Sequence, residues 1–439
     1  MNKTMLKHRV LHLAIPAALK HFLDIVQILI DMLMVGVLGV AALAAVGLSM
    51  QFMMVIQAFM SVYAIGSSAL ISRYIGSGRR HRASSVVFVG LWVALGGALI
   101  VGIAGWSFSS DFFRWMGSSA EVTKLGSGYF GILSLGMGLI FLDTLAYNAL
   151  SAAGDTRTSL FIKIASAFLN AGLNYLFIFG HGGFEPMGVE GAAYATVSAY
   201  GFTVLIYSWL LIKKGGILDI YPIFVRSDFK KMIAIGTPAA VERVIGVASF
   251  LLFVMMIASQ GTVALAGYQI GLRIEALAFM PGFGFSVAAM VLAGQFIGSK
   301  QYDYAYESGI LSAKIATLFM GSVGIILVSI PEVLIRFFTQ DSVTIDQAAL
   351  YLRLVGIAQI PLALTFVLSG ALRGAGATNL SMRISIGSLW LFRIIPAYVV
   401  MKLGGGILGI YIAMTVETFI KGWLFWQVYR QKEWITRTI

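Results

Sequence analysis

Apolar residues fill this chain in long, nearly unbroken stretches close to 10–38, 47–75, 86–109, 127–153, 158–180, 189–213, 232–259, 264–297, 308–330, 346–372, 380–403 and 406–429. Polar residues gather in the short gaps between them. About 20 mainly apolar residues, at about 1.5 Å rise each, cross a hydrocarbon core of about 30 Å. Strands of a membrane barrel would instead alternate polar and apolar residues over about ten positions, and these stretches do not. The pattern predicts an all-α polytopic membrane protein with about 12 transmembrane helices.

The pattern is written twice. With an offset of 222 residues, Pro16-Ala17-Ala18 falls on Pro238-Ala239-Ala240, Ile75-Gly76-Ser77 on Ile297-Gly298-Ser299, and Gly154 and Thr156 on Gly376 and Thr378. Six spans per copy is an even number, so both copies run the same way through the membrane. The expected architecture is two six-helix bundles related by a pseudo-two-fold axis along the membrane normal. On this reading residues 1–214 form an N-terminal lobe, 215–231 a basic cytoplasmic linker, and 232–439 a C-terminal lobe. Pro16 and Pro238, equivalent across the repeat, mark a candidate bend in the first helix of each copy.

Composition agrees. Of 439 residues, 59% are hydrophobic and only 11% charged, with mean hydropathy +0.89, too little charge for a soluble protein of this size. The net charge of +12 would suit nucleic acid, but its distribution does not. Arg79, Arg80, Arg82, Lys213, Lys214, Arg226, Lys230, Lys231, Arg430, Lys432 and Arg437 all fall on one set of loops. The opposite set carries mainly Arg114, Lys124, Arg336 and Lys402. This asymmetry places both termini in the cytoplasm and gives membrane lipid, not nucleic acid, as the surroundings. Lys3, Lys7 and Arg9 lead directly into the first span, which is expected to serve as the targeting element. The absence of cysteine excludes disulfides and thiolate metal sites.

Charged side chains at mid-bilayer cost about 2.5–3.5 kcal/mol each on insertion scales, so each needs a reason. Lys20, Asp24, Gln27 and Asp31 lie four, three and four residues apart, along one face of span one. Lys20 and Asp24 can pair at i,i+4. Asp31 has no cation one turn away and is the candidate to take up a proton or hold a sodium ion. On span five Lys163, Ser166, Asn170 and Asn174 share a face, and the amide oxygens suit a hard cation or an acidic proton. Span four adds Asp143 and Asn148; span six adds Tyr194, Thr196 and Ser198. At the same offset Asp31 falls on Phe253, Asn170 on Phe392, Asn174 on Pro396 and Asp143 on Thr365. The second copy has its own charges, Glu242 beside Arg243 and Arg273 near Glu275, pairs that can neutralise each other. Ion chemistry is therefore expected in the N-terminal half.

These residues together resemble the multidrug and toxic compound extrusion family. Ile30-Asp31-Met32-Leu33-Met34-Val35-Gly36 resembles its first-helix motif, and Ala153-Gly154-Asp155-Thr156-Arg157 its loop after helix four. Arg273-Ile274-Glu275 with Met280-Pro281-Gly282-Phe283-Gly284 is similar to its eighth helix. The resemblance spans the whole chain. It implies efflux of drugs or metabolites against an inward flow of H+ or Na+, with Asp31, Asn170, Asn174 and Thr196 at the cation-coupling positions. Lys20, Asp24, Gln27 and Asp143 would support them, and no cofactor is implied. The NorM-type branch has a seventh-helix glutamate, matched by Glu242, and a tenth-helix aspartate, where this chain has Leu362. The DinF-type branch often has an aspartate where this chain has Asn174. The sequence thus falls between branches, leaving roles for Glu242, Arg273 and Glu275 open.

The expected function is a secondary antiporter of the bacterial inner membrane, a monomer that exports organic cationic or amphipathic molecules by alternating access. The rival reading is a flippase for lipid-linked saccharide or another amphiphile, for which Lys20, Arg243, Arg273 and Arg393 would supply cations. An enzyme is not expected: the sequence has no histidine pair for a metal, no cysteine nucleophile and no Gly-x-Ser-x-Gly elbow.

Overall fold

A computed structural model describes residues 2–213, 216, 218 and 221–436. Lys214, Gly215 and Arg437, used above for the linker and the charge asymmetry, lie outside the described residues. Among the described residues the elements are all helical. The first copy contributes α1 (Lys3–Gly36), α2 (Val40–Gly76), α3 (Arg80–Ser107), the short α4 (Ser109–Trp115), α5 (Ala120–Leu135), α6 (Met137–Ala153), α7 (Thr156–Phe179) and α8 (Gly188–Ile212). The second contributes α9 (Arg226–Ala258), α10 (Thr262–Gly298), α11 (Tyr302–Ser329), the short α12 (Pro331–Ile335), α13 (Ser342–Gly374), α14 (Thr378–Ser388), a wide π-helical turn at Leu389–Ile394, α15 (Ile395–Lys402) and α16 (Gly406–Arg430). Eleven spans among the described residues are long and apolar enough to cross a membrane. The pair α5 and α6 makes a twelfth, broken by 55°.

Two spans are interrupted. The fourth breaks at Gly136, where a Cβ would come within 2.5 Å of the Val197 side chain. A glycine there lets α8 press into the chain. The eleventh contains the wide turn 389–394 and is 25 residues long, against 24 for the unbroken α7. Both begin at equivalent threonines, and at the 222-residue offset Asn170 maps to Phe392, inside the turn that carries Arg393.

The repeat is visible in the turns. Gly39 (φ 113) and Gly261 (φ 112) occupy the first turn of each copy, a conformation nearly closed to residues with a Cβ. Ser119 and Asp341, equivalent across the repeat, cap α5 and α13, accepting from the amides of Val122 and Thr344 at 3.3 and 2.9 Å; such caps satisfy donors that a helix leaves open.

The chain divides into two compact units. Residues 19–237 form the first and residues 1–18 with 238–439 the second; they are called here the N-unit and the C-unit. The divisions fall beside Pro16 and at Pro238, not at the linker, so each unit takes the first segment of the other copy. In the N-unit α2 packs on α3, α5 and α6, and α7 on α8. In the C-unit α10, α11 and α13 pack on one another and α16 lies on α13. The core there includes Leu6, Val10, Leu13 and Ala14 of α1 among Phe285, Ala288, Leu292 and Val367. Arg9 donates to the Gln295 amide oxygen at 3.0 Å and lies 5.0 Å from the Phe296 ring centre.

The matching segment of α9 is held in the N-unit by fully buried Asp228, which accepts from the Tyr74 hydroxyl at 2.8 Å and from Arg82 at 3.3 Å. Both docked segments approach their helix closely at one equivalent position. A Cβ on Gly236 would lie 1.6 Å from the Val62 carbonyl oxygen, and one on Gly284 would lie 2.4 Å from that of Ala14. The same crossing is thus made with glycine on opposite partners.

Candidate functional site

Helix α1 carries the polar stripe and α7 faces it within the N-unit. Asp24 is held by two cations: Lys20 Nζ at 2.9 Å from Oδ2 and Lys163 Nζ at 2.8 Å from Oδ1. Lys163 also donates to Gln27 Oε1 at 2.5 Å, and Lys20 lies over the Tyr147 ring, 4.2 Å from its centre. A double ion pair of this kind meets the charge requirement of a low-dielectric interior. Both of its carboxylate oxygens are thus already bound to cations.

Asp31, two turns along the same face, is different. Its Oδ1 accepts from Asn174 Nδ2 at 2.5 Å, and among the described residues no cation lies within ion-pair distance. The same amide nitrogen is 3.3 Å from Asn170 Oδ1. Both asparagines are fully buried, yet Asn174 Oδ1 and Asn170 Nδ2 have no hydrogen-bond partner. Buried polar atoms without partners are uncommon and costly. Here they stand within one side chain of a carboxylate. Asp31, Asn170 and Asn174 together offer oxygens of the kind that suit a small hard cation. Among the described residues no group of three His, Asp or Glu has the spacing of a conventional metal site.

Of the other expected residues, Asp143 shares the electrostatic neighbourhood of Lys20, Lys163 and Asp24, beside the Thr203 hydroxyl. Thr196, partly buried on α8, makes no hydrogen bond with Asp31, Asn170 or Asn174. The tyrosines were not anticipated: Tyr129 and Tyr200 both lie within the field of Asp31. The placement of Tyr147 four residues beyond Asp143, on one helical face, was a usable signal for the third.

The C-unit pairs are not the ones expected. Glu242 bonds Arg373 at 2.9 Å, not its neighbour Arg243, and Glu275 accepts from the Tyr351 hydroxyl, not from Arg273. Adjacent helix residues point about 100° apart, so sequence neighbours rarely meet. Arg393 and Lys421 both bond Glu417, at 2.6 and 2.7 Å. The last two residues were not foreseen as a group.

Two six-span copies of long apolar helices with charged clusters among them define a polytopic helical membrane protein. The MatE family profile matches residues 16–176 and again 238–399, starting at the two equivalent prolines. The chain belongs to this family, the multidrug and toxic compound extrusion transporters. A Thermotoga maritima protein named probable multidrug resistance protein NorM is 30% identical over 99% of this chain and 94% of its own length. The uncharacterized transporter YisQ of Bacillus subtilis is 25% identical, covering 93% and 90%. A solved structure described as the outward-facing conformation of a multidrug resistance MATE family transporter superposes with a TM-score of 0.91. It is 22% identical over 99% of this chain and 97% of its own, a likeness of fold.

Proposed function

We propose that the protein is a secondary antiporter that exports organic cationic or amphipathic molecules in exchange for H+ or Na+, with Asp31 as the coupling carboxylate. The observation that carries this reading is the unsatisfied Asn174 Oδ1 beside a carboxylate that has no cation. An incoming Na+ would draw on Asp31 and the two amide oxygens. An incoming proton would turn Asp31 into a donor, and the Asn174 amide, turned over, would accept from it. Asp24, neutralised by two lysines, serves as the fixed charge that holds α7 against α1.

In this reading ion binding at Asp31 shifts the N-unit helices toward the arrangement that releases substrate outward, and ion loss to the cytoplasm resets it. One charge crossing 100 mV supplies about 2.3 kcal/mol, and a tenfold ion gradient about 1.4 kcal/mol, enough to drive uphill export. The names of the Thermotoga maritima and other relatives support organic efflux as the task. The protein would work as a monomer in the bacterial inner membrane with both termini cytoplasmic.

Purified protein in liposomes, with H+ and Na+ gradients imposed separately, tests the proposal. Asp31→Asn should reduce ion-driven movement of a fluorescent organic cation at least tenfold while leaving a folded, monodisperse protein. Coupled transport retained in that variant would overturn the assignment.

A further inference from the structure

The membrane-embedded charge of the two units differs in sign. Lys20 and Lys163 stand against Asp24, Asp31 and Asp143 in the N-unit. In the C-unit Arg243, Arg273, Arg373, Arg393 and Lys421 stand against Glu242, Glu275 and Glu417. Ion coupling at Asp31 makes no use of the second group.

Five of that group, Glu242, Arg373, Arg393, Glu417 and Lys421, form one connected cluster. Arg393 bonds Glu417 through Nε at 3.1 Å and Nη2 at 2.6 Å, and Nη2 also reaches Thr418 Oγ1 at 3.3 Å. Lys421 Nζ lies 2.7 Å from the other Glu417 oxygen and within the field of Glu242, which bonds Arg373. The Arg373 Nε is buried with no partner. The carboxylate of Glu417 is wholly buried, whereas Arg393 and Lys421 remain 23% and 16% exposed. The charge of the cluster that remains exposed is therefore cationic. Arg393 Nη1 and two of the three Lys421 protons remain for a ligand after these bonds are made.

The backbone supplies an independent observation. Arg393 sits in the wide turn 389–394, whereas the matching helix α7 is regular. Such turns loosen a helix at one point and recur at functional sites. An unmatched charge inside a membrane likewise needs a function to explain it.

We propose that Arg393 and Lys421 form a binding site for the carboxylate of those amphipathic substrates that carry one, separate from the cation site at Asp31. The guanidinium edge and the ammonium would each donate to the carboxylate. The proposal rests on the transporter reading for its physiological role, but binding at the site does not require ion coupling.

The test uses the full-length protein in non-ionic detergent, with 1-naphthoate and a naphthylmethyl-trimethylammonium of matched size as probes, followed by titration calorimetry. Lys421→Met leaves Glu417 its bonds to Arg393 and removes the excess positive charge. It should weaken naphthoate about tenfold and leave the ammonium probe unchanged, and Lys421→Arg should restore naphthoate binding. Lys421→Gln, whose amide can still donate to Glu417, gives the same readout if the methionine variant fails to fold. Equal naphthoate affinity in wild type and in the variant that folds, or no binding to wild type, would overturn the proposal. Asp31→Asn should leave naphthoate binding intact; naphthoate binding lost in that variant would mean one shared site and would also overturn it. If transport proves uncoupled while naphthoate still needs Lys421, the antiport reading fails and this one stands.

Discussion

At the scale of single residues, Asp24 and Asp31 share a helix and a face but not an environment. Asp24 answers two lysines, so removing it leaves two cations without their common anion. Asp24→Asn is expected to destabilise the protein by about 3 kcal/mol, read as a lowered thermal midpoint in detergent. Asp31→Asn keeps the hydrogen bond to Asn174 and should melt close to wild type while losing coupled transport. The contrast separates a carboxylate that holds structure from one that exchanges an ion. The stripe on α1 and the asparagines on α7 were legible from spacing alone, because a three- and four-residue step fixes which side chains share a face. That Lys163 would cross to Asp24 was not, because which faces meet is set by packing between helices. The same limit explains why Glu242 was matched with Arg243 rather than with Arg373, 131 positions away.

At the scale of elements, the twelve spans and their closing ends were readable because hydrophobic length is dictated by the bilayer. Helices α1 and α2, however, begin at Lys3 and Val40, well before the apolar runs do. The break at Gly136 was not readable, since it reflects a local packing demand. The wide turn at 389–394 had a signal in Pro396, whose missing amide hydrogen weakens the turn before it. The equivalent crossings at Gly236 and Gly284 give a direct prediction. Gly236→Ala and Gly284→Ala force a methyl group against a backbone carbonyl and should each lower stability by about 1–3 kcal/mol. Gly246→Ala, with nothing within 4 Å, should not. The turn after the second helix of each copy gives the opposite sign. Gly78 (φ 75) corresponds to Lys300 (φ 59), and a left-handed residue with a Cβ carries strain of about 1 kcal/mol. Lys300→Gly is therefore expected to raise the thermal midpoint slightly, and Gly78→Lys to lower it.

At the scale of the molecule, the duplication was plain in the sequence but its partition into compact units was not. An offset of 222 says that two segments are alike; it does not say which core each one enters. Residues 1–18 and 226–237 pack within units made mostly from the other copy. Cutting the chain with a protease site introduced between Ile212 and Tyr221 should therefore not release two independent halves. The two fragments are expected to co-purify in detergent and to separate only when the docked segments are weakened, as by Arg9→Ala with Asp228→Ala. Separation of the fragments by the cut alone would contradict that partition.

The exchanged first segments also bear on how such a chain could have arisen. One copy alone would carry an opening segment whose apolar face, Leu6, Val10, Leu13 and Ala14 in the first copy, had no core of its own to enter. Two unlinked copies could satisfy each other by reciprocal donation, as in a swapped dimer. Joining them end to end would keep that trade while releasing each copy to specialise, one toward acid and the other toward base. A duplication bound in this way is hard to undo: loss of either copy would strand the opening segment of the survivor.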